Sequence, residues 1–123
     1  MAKKPKTLEQ WLIPRLRRIS MHWPEMQKAR DRVKVYIQVG TYKNGNPEMR
    51  RFFLCQTPDC GCLCKEGEGA IDHIRPVVDE KTGYVNLDNY IRSLLCDSSN
   101  LQFLCNDCHS LKTLYENSLR IRK

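Results

Sequence analysis

Seven cysteines in 123 residues constrain this chain more than any other feature. Six of them fall in two groups, Cys55, Cys60, Cys62 and Cys64 first, then Cys105 and Cys108 much further along. An odd number cannot all pair within one chain. The opening stretch, Met1-Ala2-Lys3-Lys4-Pro5-Lys6-Thr7, also lacks the apolar run of a secretory leader. The expected setting is therefore a reducing cytoplasm, where clustered thiols bind metal more often than they form disulfides. Two clusters well separated in sequence are what a four-cysteine zinc site needs. Cys105-x-x-Cys108 has the standard spacing of a metal pair, and Cys55-x4-Cys60, followed by Gly61, has the form of the other half. Cys62 or Cys64 could stand in for a member of that half, but they, with Cys96, are expected to be spare thiols rather than ligands. A four-thiolate site leaves no coordination position open, so its role is structural, and a short chain with a small core gains from such a staple.

Charge adds a second constraint. The chain carries 21 Lys and Arg against 14 Asp and Glu, a net charge of +7. Residues 1–50 hold 12 basic and four acidic side chains, a net +8, while residues 51–123 hold nine and ten, a net −1. A basic excess confined to one end suits a layer that meets a polyanion. With 41% hydrophobic and 28% charged residues the composition is that of a soluble globular chain. No apolar run reaches the 18 residues of a membrane span, so no membrane partner is expected.

Residues 1–6 read as a disordered basic tail. Thr7 and Gln10 have the spacing of a capping box, and Leu8, Trp11, Leu12, Leu16 and Ile19 share one helical face, with Pro14 expected to kink or restart the helix. Pro24 is placed to open a second short helix through Lys28 and Arg30. Val33, Val35, Ile37 and Val39 alternate with polar residues as in a half-buried strand. Asn44-Gly45 turns the chain, and 50–54 runs back as a second strand. Residues 61–69 read as loop and 70–74 as a short strand ended by Pro76. Leu87, Tyr90, Ile91, Leu94 and Leu95 mark an amphipathic helix capped by Asn86. A turn over 97–100, a strand over 101–104 and a helix over about 106–119 complete the chain. The fold class is α+β, divided into a basic extension with helices and hairpin over 1–50 and a core over 51–123, the two forming one compact domain.

The histidines gain meaning from their neighbours. Asp72 and His73 are adjacent on a strand and point to opposite faces, so one can hold a metal while the other addresses a water or substrate oxygen beside it. Cys108 and His109 lie about 100° apart on the last helix. Cys108 can then face the zinc while His109 faces a second metal bound by Asp72.

Asp72-His73, Asn100 and Cys108-His109, bracketed by the cysteines, resemble the His-Asn-His pattern of HNH endonucleases, in the zinc-stapled branch of the ββα-metal nucleases. The resemblance covers Phe53 to Glu116. The stretch Leu16-Arg17-Arg18-Ile19-Ser20, with Trp23-Pro24, is similar to the N-terminal part of HNH proteins encoded by tailed bacteriophages. The resemblance implies a ββα-metal core around a catalytic divalent ion, Mg²⁺, Mn²⁺ or Ni²⁺, beside the structural zinc. Asp72 and His109 would be its ligands, His73 the general base, and Asn100 the holder of the loop that orients His73. Thr113 stands where many relatives carry a third ligand, which a threonine cannot replace as an imidazole would.

The implied function is that of a metal-dependent DNA endonuclease or nickase. Arg17, Arg18, Arg75 and Lys112 are candidate phosphate contacts, which would be salt-dependent and largely independent of sequence. The phage-like N-terminus implies a host-cytoplasmic protein that assists genome packaging with terminase subunits, as a monomer or homodimer. The competing reading is a non-enzymatic zinc module that binds DNA or docks on a partner; a nuclease acting on RNA is a further rival.

Overall fold

A computed structural model describes residues 6–120, so most of the expected basic tail lies outside the described residues. The chain folds as a small α+β protein with four α-helices and two small antiparallel sheets. Helix α1 (Leu8–Ser20) opens with the capping box read from the sequence. The Gln10 N–H donates to the Thr7 hydroxyl at 3.2 Å, and the Thr7 N–H donates to the Gln10 side chain at 3.0 Å. Of the two outcomes expected at Pro14, a restart does not occur: the helix runs continuously through it. Pro14 and Gln10, the residue whose carbonyl loses its partner, both face solvent, where water can take up the lost bond. Helix α2 (Pro24–Arg32) starts with Pro24 in the first turn, as its fixed φ favours.

Strands β1 (Lys34–Thr41) and β2 (Pro47–Leu54) form an antiparallel hairpin with Lys34 opposite Phe53 and Thr41 opposite Pro47. The returning strand begins earlier than its hydrophobic run suggested, because the turn is tightly closed, and the Asn44 side-chain oxygen accepts the Asn46 N–H at 3.0 Å within it. Tyr42 N–H donates to the Asn46 carbonyl at 2.8 Å, and Gly45, at φ +89°, supplies the left-handed residue that turn requires. The boundary between residues 50 and 51 falls inside β2. Within the stretch read as loop, Leu63–Cys64 pairs with Phe53 and Leu54 as a two-residue strand, β3. So short a strand has no periodicity to read.

The second sheet is a ribbon of β4 (Gly69–His73) and β5 (Leu101–Cys105), in register from Gly69 opposite Cys105 to His73 opposite Leu101. Helix α3 (Leu87–Leu94), capped by the Asn86 side chain, precedes a single 3₁₀ turn at Ser98–Asn100, and α4 (Asn106–Leu119) follows β5 directly. Among the described residues no helix is long and apolar enough to cross a membrane.

The core lies where the two sheets meet. Val33, Phe53, Cys55, Cys64, Phe103, Leu104 and Cys105 are buried together, and Ile71 and Cys108 pack against them. The rings of Phe53 and Phe103 sit 5.4 Å apart between centroids. Burying one such side chain contributes on the order of 1.5–3 kcal/mol. Gln56 joins the sheets through its backbone and side chain. Its N–H donates to the Phe103 carbonyl at 2.9 Å, and its side-chain oxygen accepts from the Phe103 N–H at 2.8 Å. That bond pair draws Cys55 against Cys105. The N-terminal helices dock on the same body: Trp23 donates its indole N–H to the Cys96 carbonyl at 2.7 Å, and Arg32 donates to the Leu101 carbonyl at 2.6 Å.

Candidate functional site: two clusters on one helix

Cys55, Cys60, Cys105 and Cys108 converge, with their sulfurs all within 4.8 Å of one another, and could hold a metal ion such as zinc. Among the described residues they are the one group of three or more Cys, His, Asp or Glu side chains gathered this closely. Three segments deliver them. Cys55 leaves β2, and Cys60 sits in a tight loop between Asp59 (φ +68°) and Gly61 (φ +62°). Cys105 caps α4, its sulfur accepting the Cys108 N–H at 3.4 Å. Cys64 is buried in the core as a small apolar side chain. The Cys62 sulfur lies 3.8 Å from that of Cys64, and neither belongs to the group of four that converges, Cys55 and Cys60 with the later pair.

The thiols are electrostatically unequal. Burial pushes Cys55 up, but the Cys105 N–H and hydrogen bonds from Thr57 outweigh it and bring its pKa down to about 6. Thr57 pulls Cys108 down, yet Cys105, burial and the other thiols prevail and push it up to about 12. Four sulfurs in one small volume accept one negative charge readily and resist more. A dication removes that resistance, since thiolate is the ligating form.

One residue further along α4, the chemistry changes. Nε2 of His109 lies 3.7 Å from Oδ1 of Asp72, with His109 41% exposed and Asp72 16%. The structure thus brings Asp72 of β4 and His109 of α4 face to face, while Cys108 points to the other cluster. Oδ2 of Asp72 is 2.8 Å from Nζ of Lys112, but off the direction of a hydrogen bond, so this buried oxygen has an ion-pair partner and no hydrogen-bond donor. His73 faces the opposite side of the ribbon. Its Nε2 is 2.9 Å from the Leu94 carbonyl oxygen, and it lines a cavity of about 510 Å³ together with Met21, Met26, Arg30, Phe53 and Lys65.

Asn100 grips the segment that follows His73. Its side-chain oxygen accepts the Arg75 N–H at 3.0 Å, its amide nitrogen donates to the Arg75 carbonyl at 3.4 Å, and its own carbonyl accepts the Ile74 N–H at 2.8 Å. Thr113 spends its hydroxyl on the His109 carbonyl at 3.0 Å within α4.

The four basic candidates are not brought together. Arg17 donates from Nε to the hydroxyl of buried Tyr90 at 3.0 Å, tying α1 to α3. Arg18 and Arg75 are exposed, and their side chains make no hydrogen bond or ion pair with the described residues. Lys112 is drawn inward between Asp72 and Glu116. Glu116 escaped the sequence reading. Its spacing from Lys112 marks only an ordinary i, i+4 helix pair, and the third partner, Asp72, comes from a distant strand.

Comparison with family models, with curated proteins and with solved structures finds no match to this chain.

Proposed function

We propose that this chain is a metal-dependent DNA endonuclease of the HNH type, hydrolysing phosphodiester bonds one strand at a time. The observation that carries the reading is the 3.7 Å approach of Asp72 Oδ1 and His109 Nε2 at the end of the ribbon where Asn100 clamps the chain after His73. A carboxylate oxygen and an imidazole nitrogen are a donor pair that suits Mg²⁺, Mn²⁺ or Ni²⁺. Asp72 is 16% exposed, with Oδ2 2.8 Å from the Lys112 ammonium and Oδ1 turned toward His109, so Oδ1 is the oxygen a divalent ion would meet. A divalent ion bound there would stabilise charge on the scissile phosphate and on the leaving oxygen.

The chain's own residues supply the rest. Because Nε2 of His73 faces a carbonyl oxygen, it carries the ring proton, which leaves Nδ1 as the accepting atom. A water attacking phosphorus gives its proton to Nδ1, and the Leu94 carbonyl holds the resulting imidazolium in place. An imidazole near neutral pH is well matched to this task. Asn100 fixes the backbone at Ile74 and Arg75, so the imidazole is presented from a rigid strand end. A phosphodiester laid across that end meets Asp72 and His109 from one face of β4 and His73 from the other.

The test is supercoiled plasmid incubated with the zinc-loaded protein and Mg²⁺, Mn²⁺ or Ni²⁺, against EDTA, with His73→Ala alongside. Metal-dependent nicking that the variant loses supports the endonuclease; an intact plasmid under every metal overturns it. One observation favours the rival, a zinc-stapled binding module without turnover: Asp72 already has a cationic partner in Lys112. Retention of DNA on the protein with no cleavage under any metal is what that rival requires. Association with terminase subunits belongs to the same proposal and is checked by co-purification.

A further inference from the structure

The ammonium of Lys112 is surrounded by oxygen. Its Nζ lies 2.8 Å from Oδ2 of Asp72, 2.9 Å from Oε2 of Glu116 and 2.9 Å from the carbonyl oxygen of His73. Lys112 is 21% exposed, Asp72 16% and Glu116 17%. A lysine that meets DNA phosphate carries its charge out into solvent on a flexible stem. Here two carboxylates flank one ammonium, so the trio as a unit presents negative charge to an approaching phosphate.

The arrangement also divides the labour of Asp72. One oxygen faces the ammonium, and the other faces His109 at 3.7 Å. The same ammonium bonds the carbonyl of His73, so α4 holds both neighbouring residues of β4 at once.

We infer that Lys112 is a positioning residue for Asp72: anchored by Glu116, its ammonium engages Oδ2 and leaves Oδ1 as the carboxylate oxygen turned to His109. The inference rests on the endonuclease reading, because that reading gives Oδ1 and His109 their metal. Without the ammonium, both oxygens of Asp72 and the carboxylate of Glu116 are released into one small volume. A dication then meets one more uncompensated negative charge, in the wrong geometry.

The test is Mn²⁺ titration followed by electron paramagnetic resonance, on zinc-loaded protein without DNA, for wild type, Lys112→Met, Lys112→Arg and Glu116→Gln. Lys112→Met should bind Mn²⁺ at least about tenfold more tightly, the lower bound being what one unit charge a few ångströms from a dication contributes under water-like screening. Plasmid nicking by the same variant should fall. Lys112→Arg, which keeps the charge, should return Mn²⁺ affinity to near the wild-type value. Glu116→Gln should bind Mn²⁺ more weakly, a sign opposite to Lys112→Met that general destabilisation would not produce. Mn²⁺ affinity unchanged or reduced in Lys112→Met, while wild type binds the ion, overturns this inference alone. Loss of DNA affinity in that variant with a shallower salt dependence would make Lys112 a phosphate contact instead. A wild type that binds no Mn²⁺ beyond its zinc overturns the inference and the endonuclease reading together.

Discussion

The β4–β5 ribbon has two ends, and they are built on different principles. At one end, where Gly69 pairs with Cys105, four like donors from three chain segments enclose a common centre, with Cys55 only 2% exposed. At the other, where His73 pairs with Leu101, the donors are unlike: a carboxylate, an imidazole 41% exposed, and an ammonium set among oxygens. The first end is all sulfur and could hold a metal ion such as zinc; the second is mixed, and under the proposed function it is the end that meets the phosphodiester. Helix α4 serves both because Cys108 and His109 are consecutive and diverge by about 100°. Whatever fixes the cysteine end therefore fixes the direction of His109.

The largest expected effect is at the cysteine end. On the reading that the quartet holds a structural zinc, replacing Cys108 with Ser removes one ligand and the staple with it, and zinc in small domains contributes roughly 10–16 kcal/mol of apparent binding free energy to folding. The variant should lose its cooperative thermal transition by circular dichroism, as should wild type treated with a strong chelator. A native spectrum in both would end the structural assignment of the quartet. His73→Ala breaks the mixed end alone. On the proposed function, turnover should fall by about 10²–10⁴, the usual contribution of a general base, while metal content and melting temperature stay near wild type. Equal losses of stability in the two variants would erase the distinction between the ends.

Much of this contrast is legible in the amino-acid sequence. The cysteine spacing, the short strand ended by Pro76 that carries Asp72 and His73, the 3.6-residue period of α3 and the cap at Asn86 are local signals, and the elements they mark form at those positions. The pattern could not convey what depends on distant partners. β3 exists because two residues find the edge of β2, and α1 passes through Pro14 because Pro14 and Gln10 face water. Arg17 looks like any helix-surface arginine until Tyr90 is packed beneath it. Lys112 reads as a phosphate contact for the same reason: its charge is visible in sequence, whereas the two carboxylates that enclose it are assembled by the packing of β4 against α4.

Two further substitutions sharpen the comparison at smaller amplitude. A Cβ on Gly69 would stand 2.4 Å from Cζ of Phe103 and 2.6 Å from the Leu104 carbonyl oxygen, so Gly69→Ala overpacks the cysteine end. A cost of about 1–3 kcal/mol is expected in urea unfolding, from a displaced phenylalanine and a strained strand. Asn100→Ala leaves the Arg75 N–H without its side-chain acceptor at the other end, and a loss of about 1–2 kcal/mol follows from that bond. The two differ in what else they move. On the proposed function, Gly69→Ala should leave kcat per folded molecule unchanged and Asn100→Ala should lower it, because only the second releases the backbone that follows His73.

The smallest effect concerns how the N-terminal helices dock beside the mixed end. Lys28 bonds Glu25 at 2.9 Å, and the carboxylate also accepts the Ser98 N–H at 3.0 Å, joining α2 to the turn that carries Asn100. Lys28 first, and then the Ser98 N–H, hold the Glu25 carboxyl below its ordinary value. A carboxyl whose pKa is depressed by folding stabilises the fold above its unfolded pKa, near 4.5, and that contribution disappears as pH falls through the lower folded value. Glu25→Gln should therefore melt slightly below wild type at pH 7, and the two curves should converge as the solution is taken below pH 4. A difference that persists in acid would show that Glu25 acts through shape rather than charge, and that docking of α2 owes nothing to this bond.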